Sequence, residues 1–263
     1  MKTCLPPGVI TCMYRVVMAE LFLEVNWPAP KHIRAITTTR NGGQSLAPYF
    51  SLNLGDHVGD NPQAVAANRQ RLFEKALLPA EPLWLKQTHS TDVIDAKRWQ
   101  ADIEADAIIS DSPDTVCTVM TADCLPLLMT DRSGSQVAAV HAGWRGLKNG
   151  IIENTLAQFK APSSEIIVWL GPAIGPQAFE VGPEVKAGFV VMDAAAESAF
   201  ISTHTDRYLA DIYLLARQRL IAQGVTAIYG GENCTFTEKQ RFFSFRRDGV
   251  TGRMASLIWI AAE

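Results

Sequence analysis

The sequence predicts an α+β fold, a mixed β-sheet core with flanking helices. Three observations carry that prediction. Short β-branched runs are interleaved with amphipathic stretches, but in no regular strand–helix alternation. The 263 residues are 48% hydrophobic and 19% charged, enough apolar material to bury a substantial core. No internal repeat, low-complexity run or Gly/Ser linker marks a boundary.

Taken in order, residues 1–17 read as a dispensable N-terminal extension, and 18–263 as a single catalytic domain. Pro6, Pro7 and Arg15 interrupt any apolar signal run, and Met18 opens a segment that looks like a natural start. Residues 32–40 are β-branched and predict a strand. The Gly-, Asn- and Asp-rich stretch that follows predicts a long loop of the kind that carries function. A helix is expected from Asp60, with Gln63 completing a capping box and Pro62 in its first turn. Val65, Leu72, Phe73 and Ala76 would form its apolar face, and Pro79 would stop it. Alternation of Leu83, Leu85, Gln87 and His89 predicts a strand. Further strands are expected at 115–121, 136–142, 165–170, 226–230, 241–246 and 256–260. Helices are expected at 146–160 and 211–223, which makes 136–170 a β-α-β unit.

Composition excludes some functions. A net charge of −3 argues against a general nucleic-acid binder, which needs a basic face. Nothing approaches the roughly 18 apolar residues of a membrane span. Five cysteines, an odd number without a C-x-x-C pair, point to the reducing cytoplasm. Cys117, inside a strand, reads as core; Cys234 follows a strand and is the weaker candidate for a pocket residue.

His89, Cys124 and His141 stand at or just past the ends of three expected strands, where such folds gather reactive groups. Two imidazoles and a thiolate suit zinc and leave a fourth tetrahedral position open. Spacing alone allows two other readings: a metal-free Cys–His dyad, or a buried thiol with two satisfied histidines. The surroundings favour a site. Asp123 and Pro126 force an abrupt exit around Cys124, and Gly143 and Gly146 allow tight turns beside Arg145.

Five segments carry a resemblance: QTH (87–89), TADCLP (121–126), HAGWRG (141–146), GPAIG (171–175) and FSFRRD (243–248). Together they resemble the signature of the YfiH-like family, first called multicopper polyphenol oxidases or laccase-domain proteins and later purine nucleoside phosphorylases. The resemblance covers nearly the whole chain, from about residue 21 to 260. It implies an α+β fold similar to that of a deamidating toxin with a Cys–His pair. It implies zinc on His89, Cys124 and His141; by the usual divalent-metal order such a site also accepts Cu²⁺. It also implies phosphorolysis of adenosine, inosine, guanosine and methylthioadenosine, with adenosine deamination. Copper-dependent polyphenol oxidation and cell-wall precursor editing are the alternatives.

Phosphorolysis needs a phosphate site, and arginine forks suit phosphate. Arg40 is the first candidate because it ends a strand and opens the long loop; Arg145 and Arg246 follow. Asn53 and His57 on that loop are candidates for ribose or base. The expected partners are a nucleoside and phosphate, with the chain a monomer or weak homodimer.

Overall fold

The computed structural model describes residues 21–262; the expectation for residues 1–17 lies outside them. Four strands, β1 (Phe22–Glu24), β2 (Ile33–Thr38), β5 (Cys117–Thr121) and β13 (Met254–Ile260), form an antiparallel sheet in the order β1-β2-β13-β5. A second sheet is mixed. It contains β3 (Val93–Asp95), β4 (Ala107–Ser110), β6 (Leu125–Asp131), β7 (Val137–Ala142), β8 (Ile166–Leu170) and β12 (Ala227–Gly230), in the order β12-β8-β6-β7-β4-β3. The β12–β8 and β3–β4 pairs are parallel and the rest antiparallel. A small antiparallel sheet joins β9 (Glu180–Val181), β10 (Phe200–His204) and β11 (Arg207–Ala210).

Side-chain alternation arranges these elements in layers. Val119 and Ile258 of the first sheet meet Leu128, Val137 and Ala139 of the second, so the sheets pack face to face. Leu127, Met129 and Val140 point the other way. They meet the helices α2 (Trp144–Asn149), α3 (Ile151–Leu156), α4 (Pro183–Val190) and α5 (Ile212–Ala222). On the outer face of the first sheet, Ala255, Leu257 and Trp259 pack against Leu72 of α1 (Pro62–Ala76). The α+β expectation holds, as a helix–sheet–sheet–helix sandwich. Truncating a side chain such as Leu128, wholly buried between the sheets, would cost about 2–5 kcal/mol.

Several elements differ from expectation. Asn61, not Asp60, caps α1, its side chain accepting from the Gln63 N–H. Asp60 instead accepts from Ser45, Asn53 and the Asn61 N–H. Residues 83–89 form no strand; they make only single bridges at Leu83 and Lys86. The helix expected over 146–160 is two short helices broken at Gly150, whose φ of 106° only glycine adopts readily. β7 and β8 do bracket them, but β6 lies between the two strands. Residues 241–246 form no strand; they lead into α6 (Phe245–Asp248), capped by Ser244. Among the described residues no helix is long and apolar enough to cross a membrane.

Candidate metal centre and adjoining cleft

Strand register builds the centre. β6 and β7 pair antiparallel with Leu125 opposite Ala142 and Pro126 opposite His141. The start of β6 therefore lies beside the end of β7, bringing Cys124 next to His141. Cys124 sits where the chain crosses from β5 in one sheet to β6 in the other. Asp123 makes that corner in the left-handed region, at φ 94°, an uncommon conformation outside glycine. Its carboxylate accepts from the Thr235 hydroxyl at 2.6 Å and the Arg246 N–H at 2.7 Å, and its carbonyl accepts from the Ile174 N–H. The GPAIG and FSFRRD segments thus buttress the Cys124 corner.

His89 arrives from the opposite side. The Gln87 side-chain amide bonds both the N–H and the carbonyl of Met120, at 2.7 and 2.8 Å, pinning the segment to β5. His89 itself has φ 61°. This left-handed residue helps turn three successive N–H groups to one side, those of Thr88, His89 and Ser90, which donate to the Asp106 carboxylate at 3.2, 3.1 and 2.6 Å. Asp106 is fully buried and also accepts from His141 Nδ1 at 2.6 Å. Burial opposes ionisation of Asp106, but its bonds to His141 and Ser90 outweigh it and lower its pKa. The carboxylate fixes the Nδ1–H tautomer of His141 and leaves Nε2 for a ligand.

The three ligand atoms lie within 4.8 Å of one another. Cys124 Sγ is 3.7 Å from His89 Nε2, and the imidazoles meet edge-on with centroids 4.9 Å apart. A tetrahedral zinc with Zn–S of about 2.3 Å and Zn–N of about 2.05 Å requires an S···N edge of about 3.6 Å. The cluster fits. Burial works against the Cys124 thiolate, but His141 and His89 overcome it and lower its pKa. Burial likewise disfavours the His141 cation, while Cys124 and Asp106 outweigh it and raise that pKa. Gly143 has no room for a side chain: a Cβ there would stand 2.8 Å from His89 Cδ2 and 3.1 Å from Cys124 Sγ.

A cleft of about 620 Å³ is lined among others by His57, Arg69, Trp84, Met120 and by Gln87 and Thr88, the two residues that lead into His89. His57 stands on its wall as a half-exposed imidazole. Burial, then the nearby Arg253 charge, lower its pKa and favour the neutral ring.

The other expected site residues are placed differently. Arg40 is tied to backbone, donating from Nε and Nη2 to the Phe50 carbonyl and from Nη1 to that of Lys239. It borders a separate shallow cleft with Lys239 and Arg247. Asn53 is fully buried and uses both amide hydrogens on Gly55 and Asp60 and its oxygen on the Gly55 and Arg253 N–H groups. It organises the loop and has no capacity for substrate, which corrects the expectation. Arg145 stacks over Trp144, and Arg246 donates to the Glu180 carbonyl. Cys117 is buried in the core with its thiol pKa raised, by burial first. Cys234 accepts from the Gly175 N–H, a structural contact.

Sequence reasoning missed Asp106 and Arg253. Asp106 is one acid among Asp102, Glu104 and Asp106, and only the apolar run directly after it hints that it is buried. Arg253 lies in a Gly-rich turn without any motif signal.

Fold and site together define the class: a layered α+β protein with a candidate single-metal centre of two imidazoles and a thiolate. The chain belongs to the family described as multi-copper polyphenol oxidoreductase laccase, which matches residues 34–261. It is 57% identical over 244 residues to a Shigella flexneri protein named purine nucleoside phosphorylase YfiH, covering 92% of this chain and all of that one. A Haemophilus influenzae purine nucleoside phosphorylase is 56% identical, over 90% of this chain and 98% of its own. A crystal structure of a Neisseria meningitidis protein superposes with a TM-score of 0.88 at 49% identity, covering 92% and 99% of the two chains. YlmD from Geobacillus stearothermophilus gives 0.85 at 30%, covering 93% and 97%.

Proposed function

We propose that this protein is a purine nucleoside phosphorylase that holds one zinc ion on His89, Cys124 and His141. The observation that carries the reading is the cluster of His89, Cys124 and His141, with its Cys124–His89 edge at tetrahedral spacing and Asp106 orienting His141. The names of the Shigella and Haemophilus relatives support the reaction. A zinc ion there would supply a Lewis acid and lower the pKa of a bound water towards about 7. That chemistry suits the accompanying deamination of adenosine.

In phosphorolysis a phosphate oxygen bonds to C1′ of the ribose as the N-glycosidic bond breaks. The electron pair leaves with the purine, which takes up a proton, giving free base and ribose 1-phosphate. The chain's own part is to hold nucleoside and phosphate in line. His57, with Nδ1 turned to Asp56 and its pKa lowered, offers Nε2 as an acceptor to the base or ribose. Adenosine, inosine, guanosine and methylthioadenosine are the proposed substrates. The test is base release from each, with and without phosphate. Release only with phosphate, lost in His141→Ala, supports the reading. Turnover of phenols or cell-wall precursors but not nucleosides overturns it.

The family's description favours a second reading, oxidation of phenols by copper. The chain has five histidines. Among the described residues only His89, Cys124 and His141 group as metal ligands. This supports one metal per chain rather than a copper cluster.

A further inference from the structure

We infer that Arg253 binds the phosphate co-substrate, an inference that rests on the phosphorylase reading. Arg253 follows directly on the Thr251–Gly252 turn, and its aliphatic stem packs over Gly55, where a Cβ would meet Arg253 Cγ at 2.8 Å. Its N–H is held by Asn53 Oδ1 at 2.9 Å, so the loop's buried amide fixes its backbone. Nη1 donates to the Thr251 and Gly252 carbonyls at 3.0 and 3.1 Å. Among the described residues Nε and Nη2 have no hydrogen-bond partner, and no Asp or Glu closes on the fork as an ion pair.

Asp123 and Cys124 act on this guanidinium electrostatically but form no ion pair with it, so the free edge stays open to an anion. Geometry places that edge: the stem lies over Gly55, two residues from His57 on the cleft wall, and the guanidinium lies 5.9 Å from the Phe245 ring, beside Arg246, whose N–H bonds Asp123 at the Cys124 corner. Thr251 is almost wholly buried and its hydroxyl is also unpartnered. Other nearby arginines are committed. Arg40 spends three donors on carbonyls, and Arg247 is held by the Thr235, Phe236 and Phe242 carbonyls and by Asp248. Arg253 presents Nε and Nη2, the edge that meets a phosphate through two parallel bonds.

The experiment titrates inorganic phosphate into the zinc-loaded protein by calorimetry and measures KM for phosphate and for inosine separately. Arg253→Met keeps the stem and removes the fork; Arg253→Lys restores the charge alone. Arg253→Met should weaken phosphate binding and raise the phosphate KM on the order of 10- to 100-fold, with the inosine KM little changed. Arg253→Lys should fall between, and Arg40→Lys should bind phosphate as wild type does. Wild-type phosphate affinity in a folded Arg253→Met protein, or a rise confined to the inosine KM, overturns the assignment and leaves the phosphorylase reading standing. If Arg253→Met fails to fold, wild-type affinity in Arg253→Lys overturns it equally. A wild-type protein that neither binds phosphate nor needs it overturns both.

Discussion

Replacing Asp106 by Asn removes one charge and one acceptor from a carboxylate that serves four donors. Oδ1 takes His141 Nδ1 and the His89 N–H; Oδ2 takes the N–H groups of Thr88 and Ser90. An asparagine has only one oxygen, so an NH₂ must face one of these two pairs. If it faces Thr88 and Ser90, two backbone donors lose their acceptor, each worth about 1–3 kcal/mol when sealed from water. These residues lie at the surface, so the lower figure applies and the loss is about 2 kcal/mol. That corresponds to a fall in Tm of about 4–8 °C for a domain of this size. If the NH₂ faces His141, the ring must accept at Nδ1, and its proton moves to Nε2, the atom the metal needs. Either arrangement damages one histidine ligand, and loss of such an outer partner costs about 10- to 100-fold in metal affinity. The assay is competition for zinc against a chromophoric chelator, with thermal unfolding of the metal-free protein alongside. Wild-type zinc affinity together with an unchanged Tm would refute the role given to Asp106.

Three further outcomes are expected. Gly143→Ala suits its backbone, φ −62° and ψ 155°, yet drives a methyl against His89 and Cys124. It should lower zinc occupancy with little loss of helix content, and full occupancy would show that the corner yields. In metal-free protein the charges of His141 and His89 keep Cys124 ionised as pH falls below the ordinary thiol range. Its alkylation, followed by peptide mass spectrometry, should therefore inflect well below ~8.5 and be blocked by zinc; an inflection near 8.5 sinks the argument. Copper-loaded protein should hold about one copper in the centre and oxidise phenols poorly, because His₂Cys is a single site; three or more coppers per chain with rapid turnover would restore the oxidase.

Of the candidate ligands, Cys124 and His141 were legible because they stand at strand ends next to turn-forming residues, and His89 from the alternation before it, although no strand forms there; α1, β2, β7, β8, α5 and β13 were legible as apolar or β-branched runs bounded by turn residues. β6 was not. Like β7 and β8 it is buried on both faces and shows no alternation, but Pro126 near its start reads as a breaker. The small sheet escaped notice because β9 has two residues and β10 is largely exposed. Gly150 sits inside a sound helical pattern, and only the three-dimensional turn shows that it divides α2 from α3. Arg40 misled for another reason: a guanidinium at a strand end serves backbone carbonyls as well as anions, and sequence does not separate the two.

The left-handed backbone at His89 means that this candidate ligand works against the chain that carries it. A histidine in that region sits about 1 kcal/mol above a glycine in the same place. His89→Gly should therefore give a metal-free protein slightly harder to melt than metal-free wild type, while abolishing tight zinc binding. The strain also makes truncation at this position an unequal comparison. His89→Ala keeps the awkward backbone and loses the imidazole, His89→Gly relieves one and loses the other, and the difference between the two melting curves measures the tension the loop holds. A metal ion that bonds His89 would act as a clasp on that tension, so chelation should loosen residues 87–90 before any other part of the sandwich, visible as early hydrogen exchange at the Thr88 and Ser90 amides.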